Sequence, residues 1–198
     1  FFVLMIRRPP KLPLLPYTTL FRSLKANVTI NSHANGFRLP TESQWEYAAR
    51  EGRWKIDLSV AYAGSPNIDD VGWHKGNSNY STHPVASKAP NSFGLYDMVG
   101  NVWEYCQDWY GEYPDTDQID PLGPETGTER VDRGGSWNYA AISHRSAVRG
   151  SKPQGVTRNV LGFRVVLPLE AFQKCGTETK SGFLDTGVFL SAHAKTLE

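Results

Sequence analysis

Glycine and proline punctuate this 198-residue chain so densely that few stretches are long enough for an extended helix or a long strand. Between residues 53 and 94 alone, Gly64, Pro66, Gly72, Gly76, Pro84, Pro90 and Gly94 leave only short apolar runs. The chain also carries six Trp, nine Tyr and nine Phe. Large rings set between turn formers predict a loop-rich fold pinned by aromatic packing and unlike a helical bundle. Residues 112–129, rich in Pro, Gly and Asp, read as a second loop region. There is no internal repeat and no heptad pattern.

One helix is clearly signalled. In Arg38–Arg50, RLPTESQWEYAAR, Thr41 and Gln44 form a capping-box pattern, Pro40 bars an earlier start, and Gly52 suits the end. Trp45, Ala48 and Ala49 share one face and are expected to pack inward, with Glu42, Glu46 and Arg50 in water. Residues 102–109 and 162–167 read as strands. A formal net charge of +1 with interspersed signs offers no basic field, so no nucleic-acid partner is expected.

The termini are expected to stand apart from this domain. Phe1–Ile6 is apolar, but Arg7 and Arg8 follow the run instead of preceding it, Pro9 and Pro10 break it, and it is too short to span a bilayer. Leu15–Ser23, LPYTTLFRS, reads like translated sequencing adapter. Residues 1–23 are therefore expected to be non-native, the domain to occupy 24–168 as the carboxy-terminal portion of a longer unit, and 169–198 to be a tail, hairpin or linker. No membrane segment is visible, and localisation stays open.

Four segments occur in series: RLPTESQWEYAAR (38–50), PNSFGLYDMVGNVWEYCQDWY (90–110), RVDRGGSW (130–137) and GFRVV (162–166). Together they closely resemble the sulfatase-modifying-factor family, which includes the formylglycine-generating enzymes, across residues 37–166. The resemblance implies a C-type-lectin-like fold, mixed α+β with few regular elements, and long loops fixed by aromatic packing and often by calcium. It also implies a Ca²⁺ site of structural type, with side-chain oxygens from Asp97 and Glu104 and backbone carbonyls of Gly100 and Val102, a donor set suited to a hard cation. The alternative for the same residues is that Asp97 caps a turn and Glu104 pairs with an arginine. Asn67, Asp69 and Asp70 offer a second calcium loop or, better, an exposed turn.

The family's oxidases carry two cysteines shortly after the GGS element, which bind copper and support oxidation of a substrate cysteine. Here Trp137–Arg149 reads WNYAAISHRSAVR, with no cysteine, so copper is not expected. His144 in that stretch reads as a solvated or hydrogen-bonded side chain before a ligand. Cys106 reads as core packing, with a disulfide to Cys175 left open. Gly134 and Gly135 read as close backbone approach or positive φ, not a phosphate cradle. Arg145, Arg149, Arg158 and Arg164 are expected to pair with carboxylates such as Asp108 and Asp132.

These readings favour a bacterial, non-catalytic binding or accessory domain with an unidentified protein or small-molecule ligand. A divergent oxidoreductase is one rival. In another, residues 138–160 vary as in the target of a diversity-generating retroelement. The candidate ligand surface is Trp137, Tyr139, Ile142, His144 and Val148, on loops held by a fixed frame.

Overall fold

The computed structural model describes residues 36–52, 61–167 and 188–192. Its elements, in chain order, are α1 (Glu42–Ala49), α2 (Ile68–Val71), β1 (Trp103–Trp109), β2 (Glu129–Arg133), a 3-10 turn (Ala141–His144), β3 (Arg149–Pro153), β4 (Leu161–Leu167) and β5 (Val188–Ala192). The strands form one sheet in the order β3-β2-β1-β4-β5. Only the β1–β4 pair is parallel; the other neighbours run antiparallel. A mixed sheet with short helices and long loops is the α+β, loop-rich arrangement expected.

Helix α1 begins as its capping box dictates. Thr41 Oγ1 accepts from Gln44 N at 3.2 Å, and Gln44 Oε1 accepts from Thr41 N at 3.1 Å. Trp45, Ala48 and Ala49 are buried against the sheet with Cys106, Val131 and Val166. The helix ends where Gly52, at φ +74°, donates its N–H to Tyr47 O.

The expectation that Glu42 stays wet fails. Its backbone N–H donates to Asp108 Oδ2 at 2.8 Å, and its carboxylate receives Arg149 from β3, Nε to Oε1 at 2.6 Å and Nη2 to Oε2 at 2.8 Å. A two-pronged guanidinium contact neutralises the charge and makes its burial tolerable. Glu46 is likewise engaged by the fully buried Arg133 of β2. Arginines therefore tie the sheet to the helix, not to Asp108 or Asp132 as expected.

The loops before β1 are held by buried amides. Asn91 Nδ2 donates to Ala48 O, while its Oδ1 accepts from the N–H groups of Phe93 and Leu95. Asn101, fully buried, accepts from His83 N and donates to His83 O. Such bonds replace a regular ladder and satisfy backbone that would otherwise be buried without partners. Asn67 caps α2 by accepting from Asp69 N, and Asp70 takes Ser65 Oγ and Asn67 Nδ2; this is the turn reading of those three residues.

β5 falls in the segment left open between tail, hairpin and linker, and it extends the sheet by pairing with β4. Leu15–Ser23 and Cys175 lie outside the described residues. Among the described residues, no helix is long and apolar enough to cross a membrane.

Candidate functional site

Strand alternation gives β1 two faces of different character. Glu104, Cys106 and Asp108 point toward α1, whereas Trp103, Tyr105 and Trp109 point away from it. On the inner face, Glu104 is 1% exposed. Its carboxylate accepts Trp45 Nε1 at 2.8 Å and Arg164 twice, Nε to Oε2 at 2.5 Å and Nη2 to Oε1 at 2.8 Å. Helix α1 and strands β1 and β4 thus meet at one satisfied carboxylate.

The sequence-expected cation residues surround this junction. Asp97 (φ +55°), Gly100 (φ +75°) and Asn101 (φ +62°) all adopt left-handed backbone, coiling the loop that leads into β1. Gly100 is obligatory: a Cβ there would lie 2.1 Å from Trp73 O. Asp97 is buried, and its Oδ2 accepts from Ala86 N at 2.8 Å. Arg164 Nη2 lies 3.3 Å from both Tyr96 O and Asp97 O, so one guanidinium spans Asp97 backbone and Glu104 carboxylate. Asp97 capping a turn and Glu104 paired with arginine, the alternative for these residues, are therefore both present.

Oxygen donors of this kind still suit a hard cation. A carboxylate offers about four lone-pair positions, and Trp45 and Arg164 use three of those on Glu104.

Copper is a different case. Segment 137–149 supplies one imidazole, His144, which is fully buried with Nδ1 2.9 Å from Ala140 O and Nε2 3.0 Å from Ser136 O. Burial pulls its pKa down. Gly135 makes the space: a Cβ there would lie 2.5 Å from the ring. Cys106 is a free thiol, fully buried, and burial pushes its pKa well up, away from the thiolate a metal needs. Among the described residues no group of three or more His, Cys, Asp or Glu is gathered for a metal. These residues do not fit a sulfur-rich copper site.

The expected ligand surface is part surface and part support. Tyr139 (38%) and Ile142 (65%) are exposed, Trp137 and Val148 are half-buried, and His144 stands behind them as a buried pillar. The loop is fixed from below, since Ser78 Oγ donates to Trp137 O and Lys75 N to Tyr139 O.

Beneath Tyr139 lies a group in which Asp132, expected to pair with an arginine, meets Lys152 instead. Tyr139 meets Trp103 edge-on at 5.5 Å. On the outer face, Trp103 Nε1, Gln107 Oε1 and both carboxylate oxygens of Asp132 are buried without a hydrogen bond, and on the inner face Arg133 Nε is too. Lys152 Nζ lies 3.1 Å from Asp132 Oδ2, and burial raises the Asp132 pKa. Alternation in WEYCQDW and VDR contains the signal for this face, but not the partners across it.

Comparison with known proteins fixes the family. Residues 19–169 match the model of the sulfatase-modifying factor enzyme 1-like domain. The chain belongs to this family. It is 39% identical over 150 residues to a formylglycine-generating enzyme of Streptomyces coelicolor, covering 65% of this chain and 46% of that enzyme. It is 38% identical over 143 residues to the chaperone protein LppX of Paenibacillus barcinonensis, covering 62% and 47%. Among solved structures, Treponema denticola variable protein 1 superposes with a TM-score of 0.62 at 38% identity, covering 69% of this chain and 49% of that one. The chain thus spans about half the length of these relatives.

Proposed function

We propose that this chain is a non-catalytic member of the sulfatase-modifying factor family, serving as a binding or accessory domain. The observation that carries the proposal is the state of segment 137–149. It has no cysteine, and its one imidazole has both nitrogens turned to carbonyl oxygens. Exposed Tyr139 and Ile142 on a pinned loop supply the recognition surface, as adaptable side chains on a fixed frame do. Purified without chelator, the full chain is expected to carry no redox metal. Copper or iron at one per chain would favour the rival, a divergent oxidoreductase, and overturn this reading.

Within the same proposal, Ca²⁺ acts as a structural ion held by the oxygens of Asp97, Gly100, Val102 and Glu104. Support comes from the coiled loop and its two buried carboxylates. Millimolar Ca²⁺ should raise the melting temperature of the native chain and leave Asp97→Asn unmoved. Equal responses of the two proteins to Ca²⁺ and to chelator would remove the ion from the account.

A second reading is favoured by the similarity to Treponema denticola variable protein 1 and by the exposure of Asn138, Tyr139, Ala140, Ile142 and Arg145. Here residues 138–160 are a diversified segment. A template repeat beside the gene with a neighbouring reverse transcriptase would support it; conserved codons across this segment in close strains would refute it.

A further inference from the structure

We propose that the outer face of β1, β2 and β3 binds a ligand bearing an alkylammonium group, with Asp132 as its anionic floor and Lys152 as an internal stand-in for that group. The inference rests on the reading of the chain as a binding domain and names the chemistry its surface would recognise.

Asp132 is held more loosely than the other buried carboxylates. It is fully buried, Oδ1 has no partner, and Oδ2 meets only the Lys152 ammonium. Glu42 and Glu104 are instead gripped by both arms of a guanidinium. The cation beside Asp132 is Lys152, whose Nζ lies 3.1 Å from Oδ2 and donates to Ser151 O at 2.8 Å. The Lys152 side chain is 19% exposed, on a flexible stem that can carry its charge into water. Gly150, opposite Asp132 across the β2–β3 pair, keeps the space clear, because a Cβ there would fall 1.9 Å from Oδ1.

Aromatic rings complete the site. Trp103 lies against Gly150, with Cζ3 3.4 Å from the position of that missing Cβ, and the Lys152 ammonium lies 5.9 Å from the Trp103 ring. Tyr139, from the exposed loop, stands edge-on to Trp103 at the outer rim. An ammonium held by a carboxylate beside ring faces gains both ion pairing and cation–π attraction, more so away from water. Two sources share this chemistry: a free alkylamine, and a lysine side chain of a partner peptide.

Removing the stand-in tests the proposal. In full-length Lys152→Ala, the melting temperature should fall, and millimolar n-butylamine should restore it saturably, whereas n-butanol should not. Lys152→Ala combined with Asp132→Asn should ignore the amine. A capped Ala-Lys-Ala peptide, run in parallel, separates the sources: tighter rescue by the peptide points to a protein partner, tighter rescue by butylamine to a free amine. The native chain should need about tenfold more of either, because Lys152 competes. Absence of rescue by both, or equal rescue in the double variant, overturns the proposal. Should Lys152→Ala not fold, Lys152→Met keeps the stem packed. The Trp103 indole N–H resonance of the native chain must then shift on amine titration, and an unmoved signal is equally fatal. Failure here leaves the non-catalytic reading intact, since that stands on metal content and peptide oxidation.

Discussion

The two faces of strand β1 bury charge in opposite ways. On the inner face, Glu104 meets an indole N–H and both arms of a guanidinium, and its neighbour Glu42 meets Arg149 in the same two-pronged manner. On the outer face, Asp132, Trp103 and Gln107 keep buried polar atoms without hydrogen bonds, against Arg133 Nε alone on the inner face. The same sheet therefore contains one nearly closed network and one open one. A closed network specifies a fold. An open one carries a free-energy cost, and that cost is recovered only if something else completes it.

The largest effect should come from breaking the closed face. Glu104→Ala leaves Arg164 buried and the Trp45 indole unpaired, so denaturant unfolding should show a loss of about 3–5 kcal/mol. Arg149→Met comes next. Arg149 holds Glu42 and also lies over the rings of Tyr113 and Tyr110, at 4.0 and 4.7 Å. The same measurement should give about 2–3 kcal/mol, the methionine keeping part of the packing. Gly135→Ala probes the buried His144 behind the exposed loop of Tyr139 and Ile142. A methyl at φ +79° and 2.5 Å from the His144 ring should cost about 1–3 kcal/mol in chemical denaturation.

A smaller effect should appear only as pH dependence. Burial, the first cause, raises the Asp108 carboxyl to about 6, against 3.8 ordinarily. The folded chain then binds a proton that the unfolded chain has released, so this group's contribution to stability falls as pH rises from about 4 to about 6. Asp108→Asn can still accept from Glu42 N, and the difference between its stability and the native chain's should reproduce that slope. A difference constant with pH would show that Asp108 titrates normally.

The smallest effect belongs to the open face. Asp132→Asn gives up only the contact with Lys152, whose flexible and partly exposed stem can carry its charge into water, and should change stability by no more than about 1 kcal/mol in either direction. A loss as large as that of Glu104→Ala would erase the contrast between the faces.

Much of this fold could be read from local chemistry. The Thr41–Gln44 box, the apolar run of β4 and the paired glycines after Arg133 are short-range signals, and each has the structure they imply. Long-range pairing was hidden. Glu42 looks like any exposed first-turn acid until Arg149, 107 positions away, is placed against it. β3, with the sequence RGSKP, has no apolar alternation to announce a strand and exists because β2 pairs with it. Of the candidate surface residues, Tyr139 and Ile142 are exposed as expected, while His144 is buried because Gly135 opens room for its ring. Asp132 was expected to meet an arginine, because nothing in VDRGG shows that its side chain enters the sheet's outer face, where a lysine meets it.

On the proposed function, this member of an oxidase-containing family recognises a ligand and does not oxidise one. Incubating the full chain with copper, oxygen and a peptide containing the CxPxR motif tests it most directly, with mass spectrometry on the peptide. The substrate cysteine should remain unchanged at all times sampled. Accumulation of formylglycine in that peptide, above a protein-free control, would contradict the account.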